Sequence, residues 1–359
     1  TLSSSSAASD VYKRQIVHSH ITYLMSLAIV RYLNIKNDDV RILSYNHLFH
    51  PQIMPIQIFY LSLNENVAVK FKYWNYARYI DRTISSVTDD EDYALYINYP
   101  HYKYLFMTNN HCKKINFIEE GMDNYKENSL SSYTIFDPNK NFRPTFLSRL
   151  KYGVESFKSI IRGKRNALID LLPATSSCYN LIPDISYYCF SEFAFPGIST
   201  QKHVLDIKNV KSFYSNFSNS ICEMKNGLCF WIGDNVVKCS NITEQEYGIA
   251  IRNGLEFFLK KHPFDKIYLK FHGGESELSR SLTIKACEKL NIEYEIIHDG
   301  VSIELILMNL EHCTLIGLTS SLLFYGSLLG HVSYSINRYL SQWHHLSAQN
   351  VYWEHVTML

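Results

Sequence analysis

From residue 228 onward the chain alternates short apolar runs with stretches of helical periodicity. Leu228 to Ile232 is unbroken and apolar and stops at Gly233-Asp234-Asn235. Thr243, with Glu246 three residues on, has the spacing of a capping box. Tyr247, Ile251, Leu255 and Phe258 then recur at the interval of one helix face, and Pro263 ends the pattern. The same alternation repeats. Lys266 to Phe271, Ile292 to Ile297, Cys313 to Gly317 and Val332 to Ile336 read as strands. Between them lie a helix with a Leu278, Leu282, Ala286, Leu290 stripe, a helix over 302–310, and one that runs to Leu329 with Gly330 as its C-cap. Strands separated by helices in this rhythm predict a parallel sheet covered on both faces.

The first half shows the same rhythm less clearly. Ile21, Leu24, Met25, Ala28 and Tyr32 predict a helix over 20–33, and Val40 to Ser44, Tyr93 to Ile97 and Ile115 to Ile118 predict strands. The third of these stops at Glu119-Glu120-Gly121. Residues 122 to about 200 are less regular, and Phe195-Pro196-Gly197-Ile198-Ser199 is turn chemistry near which a domain boundary is expected. Residues 1–15 lack the apolar core of a signal peptide and resemble a translated sequencing adaptor. They are set aside, so the natural chain is expected to start inside or before a first strand near Ile16-Val17-His18, with its true N-terminus missing. The expected organisation is an N-terminal acceptor-side Rossmann-like domain over 16–200 and a C-terminal nucleotide-sugar-binding one over 201–359.

Composition narrows the function classes. The 359 residues allow two domains at the usual ~100–200 residues each. With 35 basic and 34 acidic residues the chain has no general nucleic-acid signature. It contains no apolar run of the ~18 residues that a spanning helix needs. Cys112, Cys178, Cys189, Cys222, Cys229, Cys239, Cys287 and Cys313 include no C-x-x-C pair and no tight Cys/His cluster, so no metal site is expected and a reducing compartment is. The sequons at Asn216 and Asn241 are short enough to arise by chance. Walker A, G-x-G-x-x-G and H-E-x-x-H patterns are absent.

Three places carry candidate chemistry. Glu119-Glu120-Gly121 sets two carboxylates at a strand end. One can accept the proton of a hydroxyl while its neighbour's like charge raises its pKa, although a solvated acidic turn fits the same residues. Lys270-Phe271-His272-Gly273 puts Lys270 and His272 on one face if the strand continues, where both can meet one anion; a capped strand end fits as well. Thr319-Ser320-Ser321 opens a helix, either as an anion site or as an ordinary cap.

Taken in this order, the three motifs resemble the bacterial sialyltransferases, the group holding the lipooligosaccharide sialyltransferases and the capsule polysialyltransferases. Those enzymes carry an acidic-acidic-Gly turn, a His-Pro motif and a Ser or Ser-Ser motif. The surroundings are similar too: Phe117-Ile118 before the acidic pair, Tyr125 after it, and Ile303-Glu304-Leu305 ahead of the serine strand. The likeness spans roughly 16–336 and is tightest from Leu228 onward. One position departs, because Gly273 stands where the group has Pro. The literal pairs His50-Pro51 and His262-Pro263 are rejected by context, since His262 precedes its strand, and Ser176-Ser177 follows no apolar strand.

The resemblance implies an α/β, GT-B-type glycosyltransferase with two Rossmann-like domains facing across a cleft. It implies an inverting transfer of sialic acid from CMP-sialic acid to a glycan hydroxyl, without metal or other cofactor, with a polysialyltransferase-like branch favoured. Glu120 would be the base and Glu119 would tune it. His272, Lys270, Ser320 and Ser321 would neutralise the phosphate, Glu304 would meet the ribose, and Gly233, Asp234 and Gly273 would line the donor site. A transferase for another CMP-activated acidic sugar, Kdo-like, and a non-catalytic glycan- or nucleotide-binding homologue stay open. The only D-x-D, Asp90-Glu91-Asp92, reads as an acidic turn before a strand. Arg143, Arg149, Lys151, Lys158, Arg162, Lys164 and Arg165 lie among apolar residues at helical spacing over 143–172. That basic amphipathic pattern suits a solvated face, an anionic glycan or an anionic membrane surface, and a cytoplasmic, membrane-peripheral location is expected.

Overall fold

The computed structural model describes residues 12–17, 19–44, 56, 58–60, 73–98, 104–107, 109–125, 154, 157–158, 161, 185–196, 201–214, 227–239, 242–299, 301–341 and 350–359. The chain divides into two compact units, Thr1–Asp206 and Ile207–Leu359. The division falls six residues beyond the expected end at 200, because a short strand over Lys202–Val204 still pairs with the first sheet. His50-Pro51, Ser176-Ser177, the Asn216 sequon and most of 143–172 lie outside the described residues.

The first unit holds a seven-stranded sheet. Its strands are β1 (Tyr12–Val17), β2 (Val40–Ser44), β3 (Ile58–Tyr60), β4 (Tyr93–Ile97), β5 (Cys112–Ile118), β6 (Ser186–Cys189) and β7 (Lys202–Val204), in the order β3-β2-β1-β4-β5-β6-β7, all parallel. The exclusion of residues 1–15 from the fold is corrected here. Tyr12 to Gln15 pair with β4, and Lys13 to Gln15 also with β2, in the middle of the sheet, and their charged, non-alternating sequence hides the strand. Helix α1 (His20–Tyr32) starts at a capping box in which Thr22 N–H donates to Ser19 Oγ and Ser19 N–H to Thr22 Oγ1. It is buried from Ile21 to Val30, more than one face, while Tyr32 is exposed. Helix α2 (Tyr73–Thr88) leads into β4, all five residues of which are buried, as a strand covered on both faces requires. The Asp90-Glu91-Asp92 turn sits at the start of β4, where Asp92 pairs with His111 at 3.2 Å and Lys113 at 3.4 Å.

The second unit holds β8 (Cys229–Ile232), β9 (Lys266–Lys270), β10 (Glu293–Ile297), β11 (Thr314–Gly317), β12 (Val332–Ser335) and β13 (Thr357–Met358), parallel in the order β10-β9-β8-β11-β12-β13. Helix α3 (Glu244–Lys261) carries the expected capping box, Thr243 N–H to Glu246 Oε2 at 2.9 Å and Glu246 N–H to Thr243 Oγ1 at 3.2 Å. Tyr247, Ile251, Leu255 and Phe258 are all fully buried against Trp231, Ile267, Leu269 and Ile316. Each such side chain contributes about 1.5–3 kcal/mol by leaving water. Helix α4 (Glu277–Lys289) differs from expectation. It buries Ser279, Thr283, Ala286 and Cys287 and leaves Leu278 exposed, so the stripe is rotated toward small and hydroxylated residues. Thr283 Oγ–H donates back to Ser279 O, which satisfies its hydroxyl inside the core. Helices α5 (Ile303–Asn309), α6 (Ser321–Leu328) and α7 (Asn350–His355) complete the unit.

Read from one edge to the other, each sheet runs third, second, first, fourth, fifth, sixth, with a seventh strand closing the first sheet. In this order the connections reverse direction between the first and fourth strands, and ligands of such sheets bind beyond the strand C-termini at that point. In the second unit the reversal lies between β8 and β11.

Candidate functional site

In the first unit, the acidic pair follows β5. Glu119 N–H still donates to Tyr188 O at 2.9 Å, as a ladder bond does. Its side chain is fully buried: Oε1 accepts from the Tyr125 hydroxyl at 2.6 Å and Oε2 from Phe190 N–H at 2.7 Å. Burial, then the Glu119 charge, pushes the Cys189 thiol up to about 12 and the Tyr125 hydroxyl above its ordinary range. Glu120 is half-buried, and its N–H donates to Asn124 Oδ1 at 2.7 Å. The expectation of two carboxylates acting side by side is therefore corrected. Consecutive residues at a strand end point to opposite sides, so Glu119 enters the scaffold and Glu120 does not. Buried Asn124 organises the turn. It also accepts from Gly121 N–H at 3.4 Å, and its carbonyl accepts from Phe195 N–H at 2.7 Å. Sequence reasoning gave Asn124 no role; an Asn four residues past the strand-end Glu120 is the available signal.

In the second unit, four strand ends meet along one edge. Gly233 N–H donates to Lys270 O at 2.8 Å. A Cβ on Gly233 would collide with Glu275 Oε2, and it would stand 2.8 Å from His272 N, so the residue must be glycine to let the next loop approach. Asp234 Oδ2 accepts both Thr319 N–H at 3.0 Å and Thr319 Oγ–H at 2.9 Å, tying β8 to β11 at the reversal point. Ser320 caps α6, its Oγ accepting from Leu322 N–H at 3.4 Å while its carbonyl takes the Tyr352 hydroxyl at 3.1 Å. Ser321 opens that helix and is half-buried.

Strand β9 ends at Lys270, so the premise that Lys270 and His272 share a strand face is corrected. The Lys270 ammonium donates to the carbonyls of His298 at 3.1 Å and Asp299 at 2.9 Å, holding the loop after β10. Burial lowers its pKa, against the raising effect of Glu304 and Asp299. Glu304, in the first turn of α5, accepts from Ser302 Oγ–H at 2.8 Å. His272 is exposed, and its Nδ1 accepts from Gly274 N–H at 3.0 Å. In the neutral ring this leaves the proton on Nε2, which has no hydrogen-bond partner among the described residues and can donate to an anion. A Cβ at Gly273 would meet no atom within 4 Å, and its φ is not positive, so neither crowding nor conformation requires glycine there.

Two groups that sequence reasoning passed over converge on the His272 loop. Glu275 is buried and accepts from the Tyr247 hydroxyl at 2.9 Å and from His272 N–H at 3.2 Å. Burial pushes its carboxyl up to about 7, against the lowering effect of the Tyr247 and His272 hydrogen bonds and of Arg280, with Asp234 adding to the rise. Arg280 donates to His272 O at 3.3 Å and Asp299 Oδ2 at 2.9 Å and lies over the Phe271 ring. The rejected His262 is the C-cap residue of α3, before β9, and its ring packs between Phe258 and Tyr334.

No protein-family model and no curated protein matches the chain. Among solved structures, the chain is similar to the GT-B domain of a sialyltransferase from Photobacterium damselae, at 13% identity over 87% of each chain and a TM-score of 0.47. It is also similar to the S. aureus MnaA–UDP co-structure, at 9% identity over 90% of this chain and 78% of that one, with a TM-score of 0.51. A UDP-GlcNAc 2-epimerase from Methanocaldococcus jannaschii is similar at 12% identity over 97% and 88%, with a TM-score of 0.51. The last two, together with the strand orders, establish the fold as α/β of the GT-B type, built from two Rossmann-like units.

Proposed function

We propose that the chain is an inverting glycosyltransferase that moves sialic acid from CMP-sialic acid to a glycan hydroxyl, without a metal. The observation that carries this reading is the state of His272. Its Nδ1 is committed to Gly274 N–H, at the edge where the ends of β8, β9 and β11 bring Asp234, His272 and Ser320. An Nε2–H donor there suits the phosphate of a leaving nucleotide, whose charge must be neutralised as the glycosidic bond breaks. The half-buried Glu120, in the other unit, is the carboxylate suited to accept the acceptor's proton. Lys270 acts by holding the loop after β10, and Ser320 and Ser321 act through the start of α6.

Likeness at 9 and 12% identity does not choose among nucleotide sugars. The test is therefore release of nucleotide from CMP-sialic acid, CMP-Kdo and UDP-GlcNAc over a panel of glycan acceptors, with and without excess EDTA. CMP release from CMP-sialic acid that persists in EDTA is expected. Release from another donor only, or loss that returns with a divalent cation, rejects the reading. His272→Ala is expected to abolish turnover and weaken CMP binding, while His262→Ala behaves as the parent.

A further inference from the structure

We propose that Glu275 is the positioning residue for His272, clamping the loop after β9 so that the imidazole is held as a single tautomer. The inference deepens the reading of His272 as the phosphate donor and rests on it.

The loop has little rigidity of its own. Gly273 and Gly274 follow His272 directly, and a side chain at Gly273 would meet open space. What holds it is a set of hydrogen bonds centred on two residues. Glu275 N–H donates to His272 O at 3.0 Å, closing the turn. The Glu275 carboxyl folds back and accepts from His272 N–H at 3.2 Å. His272 is thus bonded at both its backbone N–H and its carbonyl by the same residue. That closed turn presents Gly274 N–H to His272 Nδ1 at 3.0 Å, and this bond selects the Nε2–H tautomer.

The clamp is itself anchored. Glu275 Oε1 takes the hydroxyl of Tyr247, fully buried on α3, and Oε2 lies against Gly233, where any side chain would expel it. The groups facing Glu275 are Tyr247 from α3, whose hydroxyl also meets Thr283 of α4, Arg280 from α4, Asp234 from the end of β8, and His272 on its own loop. A carboxyl desolvated to this degree is disfavoured as an ordinary loop residue, and its two oxygens match two donors.

The test reads the ring rather than turnover. Histidine ¹⁵N spectra of the full chain, with His272 assigned by its loss in His272→Ala, are expected to show the neutral Nε2–H tautomer in the parent. Glu275→Ala should give both tautomers in comparable amounts and speed Gly274 amide exchange about tenfold, the scale of one lost hydrogen bond. Glu275→Gln offers one acceptor oxygen to two donors, so it should fall between the two. A parent already mixed, or a Glu275→Ala ring identical to the parent, overturns the proposal. If Glu275→Ala does not fold, Glu275→Gln decides in the same way, and a parent-like ring and Gly274 exchange rate overturn it. CMP titration separates the two readings. A parent that binds no CMP sinks the donor-site reading while the spectra still decide the role of Glu275.

Discussion

The Tyr125 hydroxyl donates to Glu119 Oε1 over 2.6 Å, and this contact gives two adjacent carboxylates different surroundings. Glu119 ties the end of β5 to Tyr125 and Phe190, and Glu120 is half-buried, with its N–H on Asn124 Oδ1. Glu119→Gln keeps the shape but sets an amide N–H₂ against one of two buried donors. It should cost about 1–3 kcal/mol of stability, read as a lower denaturant midpoint. Glu120→Gln should leave stability within about 0.5 kcal/mol and cut kcat by roughly 100-fold or more, with CMP affinity unchanged. Near-normal turnover in Glu120→Gln removes it as the base.

Gly233 and Gly273 should respond in opposite ways. A methyl on Gly233 has to displace Glu275 and the His272 backbone, so Gly233→Ala should destabilise by about 1–3 kcal/mol. Gly273→Pro loses no hydrogen bond seen among the described residues, and Gly273→Ala meets open space. Both should fold within about 1 kcal/mol of the parent. Thermal unfolding of the three variants checks this, and a Gly233→Ala chain as stable as the parent would show that the β8 and β9 ends do not pack closely.

The second unit is legible in the sequence because most of its strands hold a short apolar run, unbroken in β8, and its helices carry caps, as at Thr243 and Ser276. In the first unit, β1 contains Lys13, Arg14 and Gln15, and β3 and β7 span three residues each, so periodicity had little to register. At the site, residue types were legible and directions were not. The sequence marks Glu119-Glu120 as a pair, but which carboxylate turns inward depends on the partners Tyr125 and Phe190. Glu275 escaped notice because a glutamate in a Gly-Gly loop is ordinarily solvated, and its burial arises only from the approach of Gly233 and Tyr247.

The stretch 143–172 yields a membrane prediction. Among its described residues, Val154, Phe157 and Ile161 are in helical conformation and exposed, at the i, i+3, i+7 spacing of one face. Among the described residues no helix is long and apolar enough to cross a membrane. An apolar face flanked by basic residues is expected to bind anionic vesicles at low salt. Changing Arg162, Lys164 and Arg165 to Gln should weaken that binding on the order of 100-fold, at ~1 kcal/mol per basic residue. Co-sedimentation with anionic and neutral vesicles is the measurement. Equal binding to both, or none at low salt, leaves a solvated face or an anionic glycan as the ligand.

The last prediction concerns stability against pH. The Glu275 carboxyl is raised by burial from its ordinary 4.5 to about 7. Between these values the unfolded chain has lost the proton and the folded chain keeps it. Folding therefore takes up a proton in this window, and the stability linked to Glu275 is full below 4.5 and is lost as pH rises to about 7. The loss amounts to roughly 3 kcal/mol at most, at 1.36 kcal/mol per unit. Glu275→Gln cannot titrate, so it loses none of it. Urea unfolding of both proteins from pH 4.5 to 8 should show the variant gaining on the parent through the window and running parallel to it above. The hydrogen bonds lost with the amide shift the two curves by a constant and leave this slope untouched. A stability difference that does not change with pH would mean that Glu275 is ionised throughout, with Tyr247 and His272 N–H outweighing its burial.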